Sequence, residues 1–263
     1  MRGLSKALLL LLAGALCDAA AAFAFEFGPP DDPGGGEGAI INGAQVTAPS
    51  EWPATFIFRS SEGSCTATAV GPQVILTAAH CIQNAQIGTV RIHNTPVSVQ
   101  CFHHPDWATG NSTTDFALCL TQSEMTGIQF EVVNTALAFP RQNDQVVLLG
   151  FGCTETGGHD RNFGKLFKGT AAVIRTPSGS NVDTVVRGGA AVCFGDSGGA
   201  AYFNLVPSGN RRALVAVNSR GDISRFSFLS TTATPLFVNW ATDWSQQHGV
   251  EICGLNVAAH DCR

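Results

Sequence analysis

Charge is scarce in this chain of 263 residues. Asp, Glu, Lys and Arg make up only 13% of it, against 44% hydrophobic residues. A disordered chain has the reverse balance, so a folded globular protein is expected. A basic excess is also missing: 15 Lys and Arg stand against 20 Asp and Glu, a net charge of −5. Binding to a phosphate backbone draws on a basic face, so a nucleic-acid partner is not expected. No segment beyond the N-terminal region reaches the ~18 uninterrupted apolar residues of a membrane span. Metal-ligand spacing is missing as well. Neither CxxC nor HxxxH occurs, which argues against a zinc site. His103 and His104 are adjacent but have no further ligand at useful spacing, and they read as a loop.

Glycine and short apolar runs are abundant instead. Twenty-nine glycines punctuate runs such as "ATFIFRS", "QVILTAAHC", "VSVQCF", "DFALCLT", "QVVLLGFG", "GTAAVIRTP" and "RALVAVNS". About a dozen short strands with polar turns between them read as barrels or a sandwich. The segment "PLFVNWATDWSQQHG" differs. Phe237, Trp240, Ala241 and Trp244 recur at helical spacing, with Pro235 suited to the first turn and Gly249 just past the end. A packing helix is expected there.

The N-terminus reads as an export signal over residues 1–22. Arg2 and Lys6 supply positive charge, Ala7 to Leu16 is apolar, and small residues near Ala20 to Ala24 offer cleavage sites. Cys17 at the end of the apolar run raises a lipoprotein signal as a competitor, but Leu16 before it is larger than such a signal wants. Residues 23–39, with "GPPDDPGGGEG" at their centre, read as a linker or propeptide. Beyond residue 39 the charges nearly balance, at 13 basic and 15 acidic. Eight cysteines remain after the signal: 65, 81, 101, 119, 153, 193, 253 and 262. An even count after an export signal points to disulfides.

Three stretches carry the chemistry. "LTAAHC" holds His80, "DFALCL" holds Asp115, and "GDSGG" holds Ser197. A serine hydroxyl is a poor nucleophile unless a base stands within reach to take its proton. Imidazole suits that task near neutral pH. The imidazole needs a carboxylate to fix its tautomer and stabilise its cation. Each residue alone is commonplace, but the joint occurrence in the order His, Asp, Ser is not.

With "IING", "LTAAHC", "DFALCL", "GFG", "GDSGG" and "SRG" together, residues 40–245 resemble the trypsin-like, chymotrypsin-fold serine proteases. The resemblance implies an all-β fold of two antiparallel six-stranded barrels with a C-terminal helix. The expected divisions are 40–138 for the first barrel, 139–234 for the second, and 235–263 for the helix and tail. It implies His80 as general base and later acid, Asp115 as its orienting partner, and Ser197 as nucleophile. The amides of Gly195 and Ser197 would form the oxyanion hole. Cleavage after Ala39 would free the amine of Ile40 to pair with Asp196, so the chain would be a zymogen. Ala39 is neither Arg nor Lys, so a tryptic activator is not expected.

The resemblance also implies a primary pocket. Counting back six residues from Ser197 places Ala191 at its base, where a tryptic enzyme has Asp. Ser219 and Gly221 would contact substrate, and Leu229 would stand at a second wall and make the pocket shallow. Cleavage after small or medium apolar residues is the expectation. Arg220 departs from the pattern by replacing an aromatic residue. The departures at Arg220 and Leu229 leave a second reading, a catalytically silent homologue acting as a binding module, and a third, esterase activity alone.

The resemblance implies Cys65–Cys81 beside the histidine. The other pairings expected are Cys101–Cys119, Cys153–Cys193 and Cys253–Cys262. No cofactor and no calcium are expected, the Glu residues of a calcium loop being missing after His80. The expected partners are protein or peptide substrates and a protein inhibitor, with no nucleic acid and no membrane. The expected state is a secreted monomer. "NST" at 111 is a glycosylation acceptor in a host that makes the modification.

Overall fold

The computed structural model describes residues 40–136, 140–158, 160, 162–204 and 212–262. The expected signal and propeptide over residues 1–39 lie outside the described residues.

Among the described residues, thirteen strands are present: β1 Ala44–Gln45, β2 Thr55–Ser60, β3 Gly63–Gly71, β4 Val74–Thr77, β5 Ile87–Ile92, β6 Thr95–His103, β7 Ala117–Thr121, β8 Gln145–Gly150, β9 Phe167–Arg175, β10 Asp183–Arg187, β11 Ala200–Asn204, β12 Arg212–Gly221 and β13 Phe226–Thr231. Strands β2 to β7 close into one antiparallel barrel in the order β2-β3-β4-β7-β6-β5, with β2 pairing β5. Strands β8 to β13 close into the second in the order β8-β9-β10-β13-β12-β11, with β11 pairing β8. The two barrels therefore share one strand order. This is the two-barrel fold expected from the sequence.

Burial follows the pleat where one face meets solvent. In β5, Gly88, Val90 and Ile92 are buried while Ile87 and Arg91 are exposed. Strand β4, "VILT", is buried at every position. It lies between β3 and β7 on the barrel wall. At its end, Thr77 Oγ1 stands 2.1 Å from where a Cβ on Gly198 would lie, so the loop bearing Gly198 can approach only because that residue is glycine.

The start of the expected 40–138 division pairs outside the first barrel. The segment that opens it belongs to the second barrel: Ile41 bridges Ala191, and β1 pairs β9 through Ala44 and Lys168. A short edge strand finds its partner by tertiary contact, and nothing local in "IINGAQV" specifies which barrel that is.

Among the described residues, two helices of the α type accompany the strands, α1 Pro105–Ala108 and α2 Pro235–His248. Thr234 caps α2 by accepting from the Phe237 N–H, Pro235 sits in the first turn, and Gly249 ends it at φ 64°. Such caps satisfy N–H groups that the helix leaves unpaired. The helix buries Phe237, Ala241 and Trp244 against the first barrel's core. The Phe237 ring lies 4.8 Å from Phe116, the neighbour of Asp115. Burying such a ring stabilises by roughly 1.5–3 kcal/mol, and here it backs the segment that carries the acid. Among the described residues, no helix is long and apolar enough to cross a membrane.

Four disulfides join Cys65–Cys81, Cys101–Cys119, Cys153–Cys193 and Cys253–Cys262. Cys101 and Cys119 are direct partners on β6 and β7.

Candidate active site

His80 sits in a 3₁₀ turn, Ala79–Cys81, that follows β4. Its neighbour Cys81 is bonded to Cys65 on β3, which ties the turn to the barrel wall. Asp115 precedes β7 and is 1% exposed. Its carboxylate grips His80 twice. Oδ1 accepts from the His80 backbone N–H at 3.0 Å, and Oδ2 stands 2.7 Å from His80 Nδ1. Oδ2 also accepts from Ser219 Oγ at 2.6 Å. With Nδ1 facing a carboxylate, the proton is held there and Nε2 is left as the basic nitrogen.

The electrostatics follow from this geometry. Burial alone would depress the His80 pKa, but the Asp115 charge and its hydrogen bond outweigh burial and raise it, against an opposing push from Arg220. Burial alone would lift Asp115, yet His80 and the hydrogen bonds from His80 and Ser219 bring it below its usual value. The pair is thus arranged to stabilise an imidazolium beside a carboxylate.

Ser197 belongs to the loop between β10 and β11. Gly195 takes φ +90°, a left-handed backbone that glycine adopts without strain. Its Cα lies against Gly152, whose Cα would be 2.9 Å from a Cβ on Gly195. Among the described residues, neither the Gly195 nor the Ser197 amide has a hydrogen-bond acceptor. Two such N–H groups a residue apart can serve an incoming oxyanion. Ser197 is 6% exposed.

Asp196, fully buried, accepts from the amides of Gly152 and Cys193, each at 2.8 Å. The Ile40 N–H is a further donor. Burial dominates over these bonds and pushes the carboxyl up to about 8. Ile40 is itself fully buried, in the second barrel's core, and has φ 49°. A β-branched residue is strained at that angle.

Thr66 on β3 was not singled out by sequence reasoning, yet it joins the barrels at the site. Its N–H donates to Ser197 O at 2.8 Å. Its hydroxyl donates to Gly195 O at 2.8 Å and accepts from Phe151 N–H at 3.1 Å. A threonine after the half-cystine in "SCTATAV" is unremarkable on a strand, so no local signal marks it.

The expected pocket residues are not all together. Ala191 is buried and bridges Ile41; Ser219 faces Asp115. Gly221 lies opposite Ser227 in the β12–β13 register, and the Ser227 hydroxyl accepts from Val192 N–H at 2.9 Å. Leu229, expected at the second wall, packs inward. It is fully buried in the second barrel's core with Ile40, Val186 and Val215, and it pairs with Asn218. It does not stand across from Gly221, because the alternation of the strand points it inward and the register is shifted by an irregularity between Asn218 and Arg220.

His103 and His104 serve the framework. His103 Nε2 meets Ile82 O at 2.7 Å, and His104 Nδ1 accepts from Asp106 N–H at the start of α1. Among the described residues, Cys65, His80 and Cys81 cluster closely enough for a metal ion, but both sulfurs are consumed by their disulfide. Asn111 of "NST" is occupied with Ser180 O and Thr113.

The family model described as Trypsin matches residues 40–235. No curated protein matches the chain.

Proposed function

The chain belongs to the trypsin family, and we propose that it is an active serine endopeptidase with His80, Asp115 and Ser197 as its triad. Ser197 Oγ attacks the scissile carbonyl carbon as His80 Nε2 takes its proton. The oxyanion forms at the amides of Gly195 and Ser197. The C–N bond then breaks, and His80 returns the proton to the departing amine. Water attacks the acyl-enzyme by the same route, and the acid leaves as the hydroxyl is restored. One observation carries this reading. The Asp115 carboxylate binds both the backbone N–H and Nδ1 of His80, an arrangement that serves an imidazole working as a base.

The reading extends to activation. Cleavage before Ile40 would remove its strained φ and turn its amide into an ammonium. Among the described residues, the buried Asp196 carboxyl, raised to about 8, has no cationic partner, and that ammonium would supply one. Export rests on the charged and apolar pattern of residues 1–22 and on four disulfides, which persist in oxidising compartments. Preference for small or medium apolar residues rests on uncharged Ala191 and on Val192, which packs against Gly221. The protein would act on peptide or protein substrates as a monomer.

The test is labelling by a small fluorophosphonate, with casein and a small ester as substrates, before and after cleavage at Ile40. Wild type should label and cleave casein, whereas Ser197→Ala should do neither and melt at the same temperature. Labelling of the Ser197→Ala chain would refute the assignment, and ester cleavage without casein cleavage would limit it to an esterase.

A further inference from the structure

Arg220 is the residue that the family pattern leaves unexplained, and its surroundings give it a task. Its Nη2 is ion-paired with Asp183 of β10, whose side chain is 2% exposed. Its Nη1 donates to Ser112 O at 3.0 Å and to Ser219 Oγ at 3.2 Å. Its guanidinium lies over the Phe228 ring at 5.1 Å. Ser112 belongs to the segment leading to Asp115, while Asp183 and Phe228 belong to the second barrel. One planar group thus spans the two barrels behind the carboxylate.

Ser219 is the link to the chemistry. A hydroxyl has one proton to give and two lone pairs to receive with. Arginine is donor only, so its contact with Ser219 Oγ occupies a lone pair and cannot take the proton. That proton is left for Asp115 Oδ2, at 2.6 Å. Ser219 also lies at the irregularity in β12 between Asn218 and Arg220. Such a bulge re-aims a side chain.

We infer that Arg220, anchored by Asp183, is a positioning residue that fixes the Ser219 hydroxyl on Asp115 and thereby sets the orientation and charge balance of His80. The inference rests on the triad proposed above. Its electrostatic arm has a definite sign. Of the charged groups that act on His80, Asp115 favours its protonation and Arg220 opposes it. Asp115 also acts on His103, and Asp183 faces Arg220, Arg175 and Asp115. Removing the Arg220 charge therefore leaves the imidazole easier to protonate, so activity should appear only at higher pH. Lysine would keep a charge but lose the planar fork that reaches three partners.

The test uses Arg220→Met, Arg220→Lys and the double variant Arg220→Met with Asp183→Asn. The double variant removes the buried carboxylate that the single change would strand. The readouts are the NMR titration of the His80 imidazole and the pH profile of peptide hydrolysis. Arg220→Met should move the His80 midpoint and the acid limb to higher pH, and the double variant should move them less, because it also removes the Asp183 charge. Both variants should lower kcat/KM about tenfold to a hundredfold, chiefly in kcat. Arg220→Lys should leave the midpoint near wild type and lose less activity. If the folded double variant titrates and turns over like wild type, Arg220 is merely structural and the inference fails. If wild type neither labels nor hydrolyses, the protease reading falls, while the His80 titration still decides this one.

Discussion

The two barrels repeat one strand order but bring different materials to the cleft. The first delivers charged side chains on well-fixed backbone. His80 sits beside a disulfide, and Asp115 is held by three donors and backed by the Phe116–Phe237 contact. The second delivers backbone amides from a loop rich in glycine. That loop depends on a buried carboxyl whose donors are the amides of Gly152, Cys193 and Ile40. The same architecture thus yields one half organised around side-chain pairing and one organised around a buried carboxyl held by backbone amides. Thr66 and Arg220, with Ser219 on Asp115, tie the halves together at the site.

The comparison breaks most sharply at the first barrel. Asp115→Asn should lower kcat roughly ten-thousand-fold, because an amide leaves His80 in the wrong tautomer. Steady-state kinetics on the cut chain measure this, and a loss under tenfold would mean that Asp115 is not the orienting group.

The second barrel should break by pH instead. In the uncut chain, Asp196 keeps its proton until about 8, whereas its ordinary value is 3.8. Between those values the folded chain binds a proton that the unfolded chain does not. Stability contributed by this group is therefore present at low pH and lost as pH rises through the window. Each unit of such a shift is worth about 1.4 kcal/mol. Melting temperatures of the uncut chain should fall from pH 4 to 8 more steeply than those of the cut chain, in which the Ile40 ammonium would pair with the carboxylate. Asp196→Asn should flatten the uncut profile. Identical slopes in all three would mean that Ile40 and Asp196 do not form the activating pair.

A smaller effect is expected at the seam. Thr66→Val keeps the volume but strips a hydrogen bond from Gly195 O and another from Phe151 N–H. Leaving these half-buried partners unpaired costs up to about 1–3 kcal/mol. Turnover should fall by about tenfold with KM nearly unchanged. Full retention of turnover would show that the loop holds its shape without this tie.

Much of the fold could be read ahead of the structure because its signals are local. Alternation in "TVRIH", the glycine and proline around "PLFVNWATDWSQQHG" and the even cysteine count each act over a few residues. The candidate triad could be read for a similar reason, since each member sits in a short distinctive stretch. Leu229 could not. Its place depends on strand register, where a shift of one residue reverses which face a side chain takes. The pairing of β1 with the second barrel was equally hidden, as were Asp183 behind Arg220 and Thr66 against Gly195. Each is a contact between residues 37 to 129 positions apart or between an edge strand and a distant partner.

What the sequence determined alone is therefore the kind of element each stretch forms and the chemical inventory of the cleft: an imidazole, a carboxylate, a hydroxyl and a glycine loop. Hydrophobic periodicity, turn chemistry and side-chain identity are properties of neighbouring residues and need no partner. The tertiary structure decided which groups meet, which carboxyls lose their water and which way a shared hydroxyl points. Those outcomes depend on desolvation and on distances set by both barrels together, and no short stretch of chain contains them.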